Sequence, residues 1–170
     1  MEAPLPAPSE ASTGDAQTEY QSDSDSDIEN DLIRSLFNEG RKRKEIGDLE
    51  SAVRYFRNCL TRLSSNASYT SLTLAKNAAA CGVSKTELLE HLIDCYCLLE
   101  AWSKAKVIMK DKLFITERQV GKKDELYLRD TLKLAELMMN NREYVEAHLQ
   151  ARRSLRGFRK LGKHGNYGYE

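Results

Sequence analysis

Trp102 and Tyr144 lie 42 residues apart, and the same interval separates Ala105 from Ala147, Leu113 from Leu155 and Leu92 from Leu134. A chain that repeats an aromatic, a small residue and a leucine at one interval is building one supersecondary unit more than once. The segment ends repeat too, one residue out of register: Arg118-Gln119-Val120-Gly121-Lys122 against Arg159-Lys160-Leu161-Gly162-Lys163. An earlier unit joins through Gly40, Gly47-Asp48, Ala52, Phe56 and Cys59-Leu60. Its Ala52 stands 53 residues before Ala105, which is 11 more than the repeat interval, so the first connection is longer.

Each unit reads as a helical hairpin. Leu32, Ile33, Leu36 and Phe37 make an apolar stripe at helical spacing, and Ala52, Val53, Phe56, Leu60 and Leu63 make the next. Gly47-Asp48 between them ends one helix and caps the other, so the two pack antiparallel. Ser26 with Glu29, and Ser84 with Glu87, have the spacing of capping boxes. Leu88, Leu89, Leu92, Cys95, Tyr96 and Leu99 predict a helix that answers one carrying Trp102, Ala105, Ile108, Met109 and Leu113. Gly121 breaks that second helix. The last pair runs through Leu126, Leu128, Leu132, Leu134, Ala135 and Met138, turns at Asn140-Asn141-Arg142, and continues through Tyr144, Ala147, Ala151, Leu155 and Phe158. Residues 64–68 read as a loop and 70–80 as a short helix stopped by Gly82. No alternation lasts long enough for a strand.

Charge divides the chain. Residues 1–31 hold nine acids and no Lys or Arg, which leaves 26 basic against 17 acidic residues over 32–170. Residues 1–27 are rich in Ser, Thr and Asp and cannot bury enough apolar surface to offset ordering entropy, so disorder is expected there. Ser22, Ser24 and Ser26 each have an acid three residues on (Asp25, Asp27, Glu29), a pattern similar to casein-kinase-2-type phosphorylation sites. A solubilising tail is the plainer reading. No apolar run reaches the roughly 18 residues of a membrane span, and the start lacks the regions of a signal peptide. Four cysteines without an export signal fit a reducing compartment, so cytoplasm or nucleus is expected.

At this point the chain resembles the tetratricopeptide repeat family. Gly40…Gly47-Asp48…Ala52…Phe56…Cys59-Leu60 follows that family's pattern, and Tyr96…Trp102…Ala105…Met109…Leu113 and Ala135…Tyr144…Ala147…Ala151…Ser154-Leu155 follow it more loosely. The 42-residue step and the Gly-Lys after the second helix are similar to the kinesin-light-chain-like subclass, also seen in the regulatory arrays of fungal NLR-like (STAND) proteins. The resemblance implies an all-α fold, an α-solenoid of three antiparallel hairpins at about 28–63, 84–117 and 123–161, between an acidic tail (1–27) and a C-terminal tail (162–170). Small residues such as Gly40, Ala52, Ala105, Ala135 and Ala147 would let its helices approach closely. The third hairpin would leave Leu149, Leu155 and Leu161 uncovered, as in a piece of a longer array or an end that docks a partner or a second copy.

The residues suggest no reaction. Gly121-Lys122-Lys123 and Gly162-Lys163-His164 lack the rest of a phosphate loop, and no catalytic or cofactor motif occurs. Cys95 and Cys97 point apart on a helix, which excludes a shared metal, and with Cys59 and Cys81 they read as small core residues. His91 and Asp94 share a helical face and read as a surface hydrogen bond. No cofactor and no metal are expected.

The resemblance implies function through binding. The first helix of each repeat lines a concave groove, which here carries Phe37, Arg41 and Lys44, then Glu90, Asp94 and Cys97, then Arg129, Leu132, Lys133 and Glu136. Such a groove has basic ends and an acidic middle, and basic residues there clamp a peptide's terminal carboxylate in some relatives. The expectation is a non-catalytic module that binds a peptide or helix of a partner protein. A regulatory segment of a larger signalling protein is the alternative, and a solvated helix face is the plain reading of the same residues. Arg41-Lys42-Arg43-Lys44 has the composition of a nuclear import signal but lies inside a helix. Arg152, Arg153, Arg156, Arg159, Lys160 and Lys163 form a basic C-terminal cluster suited to acidic protein, RNA or the chain's own acidic tail. No aromatic residues interleave with those charges to stack bases, which disfavours nucleic acid.

Overall fold

Gly47 takes φ +82°, a conformation open to glycine, and so lets the chain reverse within three residues. The Asp48 carboxylate then accepts the Ser51 amide at 3.3 Å and starts the next helix. Such turns organise the computed structural model, which describes residues 20–65 and 81–162. Among the described residues six helices follow in order: α1 (Tyr20–Glu45), α2 (Leu49–Ser65), α3 (Lys85–Leu98), α4 (Trp102–Val120), α5 (Glu125–Asn140) and α6 (Tyr144–Lys160). No strand occurs among the described residues. The chain is all-helical. No helix among those residues is long and apolar enough to cross a membrane.

The helix ends follow local chemistry. Ser84 caps α3 by accepting the Glu87 amide at 3.0 Å. Asp124 caps α5 by accepting the Leu126 amide at 2.8 Å. Gly121, at φ +84°, ends α4. The tight turns after α3 and α5 instead place Glu100 (φ +53°) and Arg142 (φ +63°) in the left-handed region. The helix boundary expected at Ser26 moves. α1 begins at Tyr20 and runs through 20–27, where disorder was expected. Residues 1–19 and the expected short helix at 70–80 lie outside the described residues.

Successive helices pack on one another in chain order from α1 to α6. One apolar cluster runs through the stack, from Ile33 and Phe56 through Leu88, Leu92 and Met109 to Leu134 and Ala147. A smaller one joins Tyr127 and Leu128 of α5 to Phe158 of α6. Fully burying one such leucine contributes about 1.5–3 kcal/mol. Ala52 and Ala105 have no exposed surface, so small residues do sit where helices meet. The last helix buries Ala147, Ser154 and Phe158 and leaves Leu149 and Leu155 facing outward, as expected of an uncovered third hairpin, while Tyr144, expected on the inward stripe, is exposed as well. The Ser154 hydroxyl donates to the Leu128 carbonyl at 2.7 Å, which explains a buried serine there.

Candidate interaction groove

The first helices of the three hairpins meet at Asp94. Lys44 of α1 donates to its Oδ2 at 3.0 Å, and Lys133 of α5 approaches its Oδ1 at 3.4 Å. One carboxylate from the middle hairpin thus lies between amines from the first and the last. Burial works to raise the Asp94 pKa, but the two lysines outweigh it and hold the carboxyl below its usual range. Arg41 and Glu136 flank this line and are exposed. Cys97 is half-buried beside Lys133, with its thiol pKa raised by burial.

Two of the remaining expected groove residues, Phe37 and Glu90, are turned elsewhere. Phe37 is a correction: it is 5% exposed and its ring lies 5.9 Å from Phe56 and 5.4 Å from His91, so it belongs to the core. Its place four residues after Ile33 put it on the inward stripe. Glu90 turns to Lys112 of α4 at 2.8 Å, away from Asp94. Arg129 reaches back to Glu125 at 2.6 Å along its own helix. Leu132 is partly buried. Ser22, Ser24 and Ser26 fall within α1, with side chains outside the described residues.

His91 is not a simple surface residue. Its ring stacks on Phe56 at 5.2 Å and 9°, and its Nδ1 lies 3.4 Å from the Lys44 amine. Burial, then Lys44 and Arg41, push its pKa below the ordinary 6.5, against the weaker pull of Glu87 and Asp94. The folded state therefore resists protonation while the unfolded chain accepts it. This contribution to stability is present above about pH 6.5 and is lost as pH falls through the folded-state value. The melting temperature is expected to drop between about pH 7.5 and 5.5, and His91→Phe, which keeps the stack without the titration, is expected to flatten that drop. Equal drops in both proteins would remove His91 from the explanation.

A second polar cluster was hidden in the sequence. Lys112 donates to Asp130 Oδ1 at 2.7 Å, and Thr116 donates to Asp130 Oδ2 at 2.8 Å, all three buried. The signal was present: Lys112 and Thr116 continue the inward stripe of Ala105 and Met109, where two polar residues need a partner. Burial disfavours the charged lysine, yet Asp130 and Glu90 outweigh that and raise its pKa. This cluster joins the second hairpin to the third.

None of the four cysteines forms a disulfide. Cys59, Cys81 and Cys95 are buried, and burial pushes the Cys59 thiol up to about 11, which makes it a poor nucleophile. Among the described residues no group of three or more His, Cys, Asp or Glu is placed to hold a metal ion. The face around Asp94 thus carries paired charges contributed by three helices. No protein-family model and no curated protein matches this chain.

Proposed function

We propose that the chain is a non-catalytic protein-interaction module of the tetratricopeptide kind, three stacked hairpins that read a peptide or helix of a partner protein along their first helices. The observation that supports this most is the meeting of Lys44 and Lys133 on Asp94, which lines up α1, α3 and α5 on one face. The two lysines are already matched by a carboxylate. The exposed Arg41, Arg129 and Glu136 along the same face are left to choose the partner.

Affinity capture with mass spectrometry tests the reading, comparing the wild type with Arg41→Glu/Arg129→Glu. Both positions are exposed, so the variant is expected to keep its melting temperature. Partners of the groove are expected to bind at least about tenfold more weakly to it. Identical capture by both proteins would make the face a solvated one.

A further inference from the structure

A cleft of about 630 Å³ opens between the α4–α5 turn and the C-terminal half of α6. Lys122, Lys123, Arg152, Arg153, Arg156 and Lys160 line it, and no acid does. Lys122 bridges Glu117 at 2.9 Å, whereas the other five have no carboxylate partner among the described residues. Leu128, Leu149 and Leu161 form its apolar part, with Leu149 57% exposed. Val145, Leu149, Arg152, Arg156 and Lys160 recur at helical spacing and so share one face of α6, apolar at its start and basic at its end.

The other end of the stack carries the complement. Ile28 and Leu32 of α1 are exposed large hydrophobics, four residues apart on one face. Asp27 and Asp31 are exposed beside them, and Asp23 and Asp25 precede them in the same helix. Among the described residues Asp31 is paired with Arg34, a surface pair with both side chains at least half exposed.

Within the chain, the second helix of each hairpin carries the first helix of the next: α3 lies on α2, and α5 on α4. The short α4–α5 turn makes that last pair antiparallel. A foreign α1 laid on α6 in the same manner brings its acidic N-terminal half to the basic C-terminal half of α6. Its exposed Ile28 and Leu32 then face the leucines of the cleft.

We infer that the basic cleft beside α6 docks the acidic N-terminal half of α1 from a second copy, head to tail. Such a contact joins two different surfaces, so each added copy leaves one cleft and one acidic end available. Assembly then continues past the dimer or closes into a ring. This inference does not depend on the groove.

Sedimentation velocity on the full chain, at about 50 mM salt and over a wide concentration range, tests it. The average mass is expected to rise with concentration beyond that of a dimer, and to fall back at about 500 mM salt as screening shortens the reach of the charges. Arg152→Glu/Arg156→Glu and Asp27→Lys/Asp31→Lys are each expected to weaken association at least about tenfold. The chain that carries all four reversals is expected to associate again, a recovery that damage to folding would not give. Arg153→Glu/Lys160→Glu replaces the first pair if that variant melts early. Three results would overturn the inference: one monomeric mass at every concentration, association indifferent to the reversals, or a fourfold variant no better than its parents. A monomer with nucleic acid bound at the cleft, or a compaction independent of concentration, would overturn it equally.

Discussion

Lys112→Met is expected to lower the unfolding free energy by about 3–5 kcal/mol, more than its surface neighbours. The Lys112 and Asp130 side chains are 7% and 6% exposed, and their charged atoms lie 2.7 Å apart. Removing the ammonium leaves a buried carboxylate with only the Thr116 hydroxyl to hold it. The loss of Coulomb energy is the smaller part. The larger part is a charge kept from water without its partner. The double variant Lys112→Met/Asp130→Leu removes both charges and is expected to regain most of the stability, since apolar replacements of buried pairs are often neutral. Urea unfolding of the three proteins checks this. A cost below about 1 kcal/mol for the single change would mean that water reaches Asp130. The pair also fixes how the third hairpin sits on the second, because Glu90, Lys112 and Asp130 come from three different helices.

Phe56→Ala is the second large effect, about 3–5 kcal/mol from lost burial and the cavity left behind. Phe56 has no exposed surface and packs with Phe37 and His91 in a cluster of three mutually contacting rings. It fits because residue 40 is glycine: a Cβ there would stand 2.7 Å from Phe56 Cε1. Gly40→Leu alone is expected to cost about 1–3 kcal/mol by overpacking, beyond the small gain in helix propensity. The exchange Gly40→Leu/Phe56→Ala moves volume from one helix to the other and is expected to be more stable than Phe56→Ala alone. Chemical unfolding of the three variants decides. Additive losses in the double variant would show that the two sites do not share one space.

The helical pairs were legible because each depends on neighbours in sequence. The turn at Gly47-Asp48, the Ser84 cap and the break at Gly121 all act within a few residues. The start of α1 was less legible. A run of Ser and Asp reads as disorder by composition, whereas the helix extends back to Tyr20. On the groove face, residue spacing brought Lys44, Asp94 and Lys133 to one side but did not separate Phe37 from it. Counting positions from a turn gives a face, whereas the depth of a side chain depends on which helix covers it. Lys112 and Asp130 are 18 residues apart on different helices, and only the packing of α4 on α5 brings them together.

Asp94 has two amines and one carboxylate to share between them. A ligand that offers its own carboxylate to Lys44 draws that amine away and leaves Asp94 to Lys133 alone. Lys133 is then held more firmly and is less available to a second acidic group. The two ends of the face are thus thermodynamically linked through one side chain, and the linkage is reciprocal: whatever occupancy at Lys133 does to affinity at Lys44, occupancy at Lys44 does in return. For anionic ligands the sign is negative, so a second acidic group would add less to binding than the first.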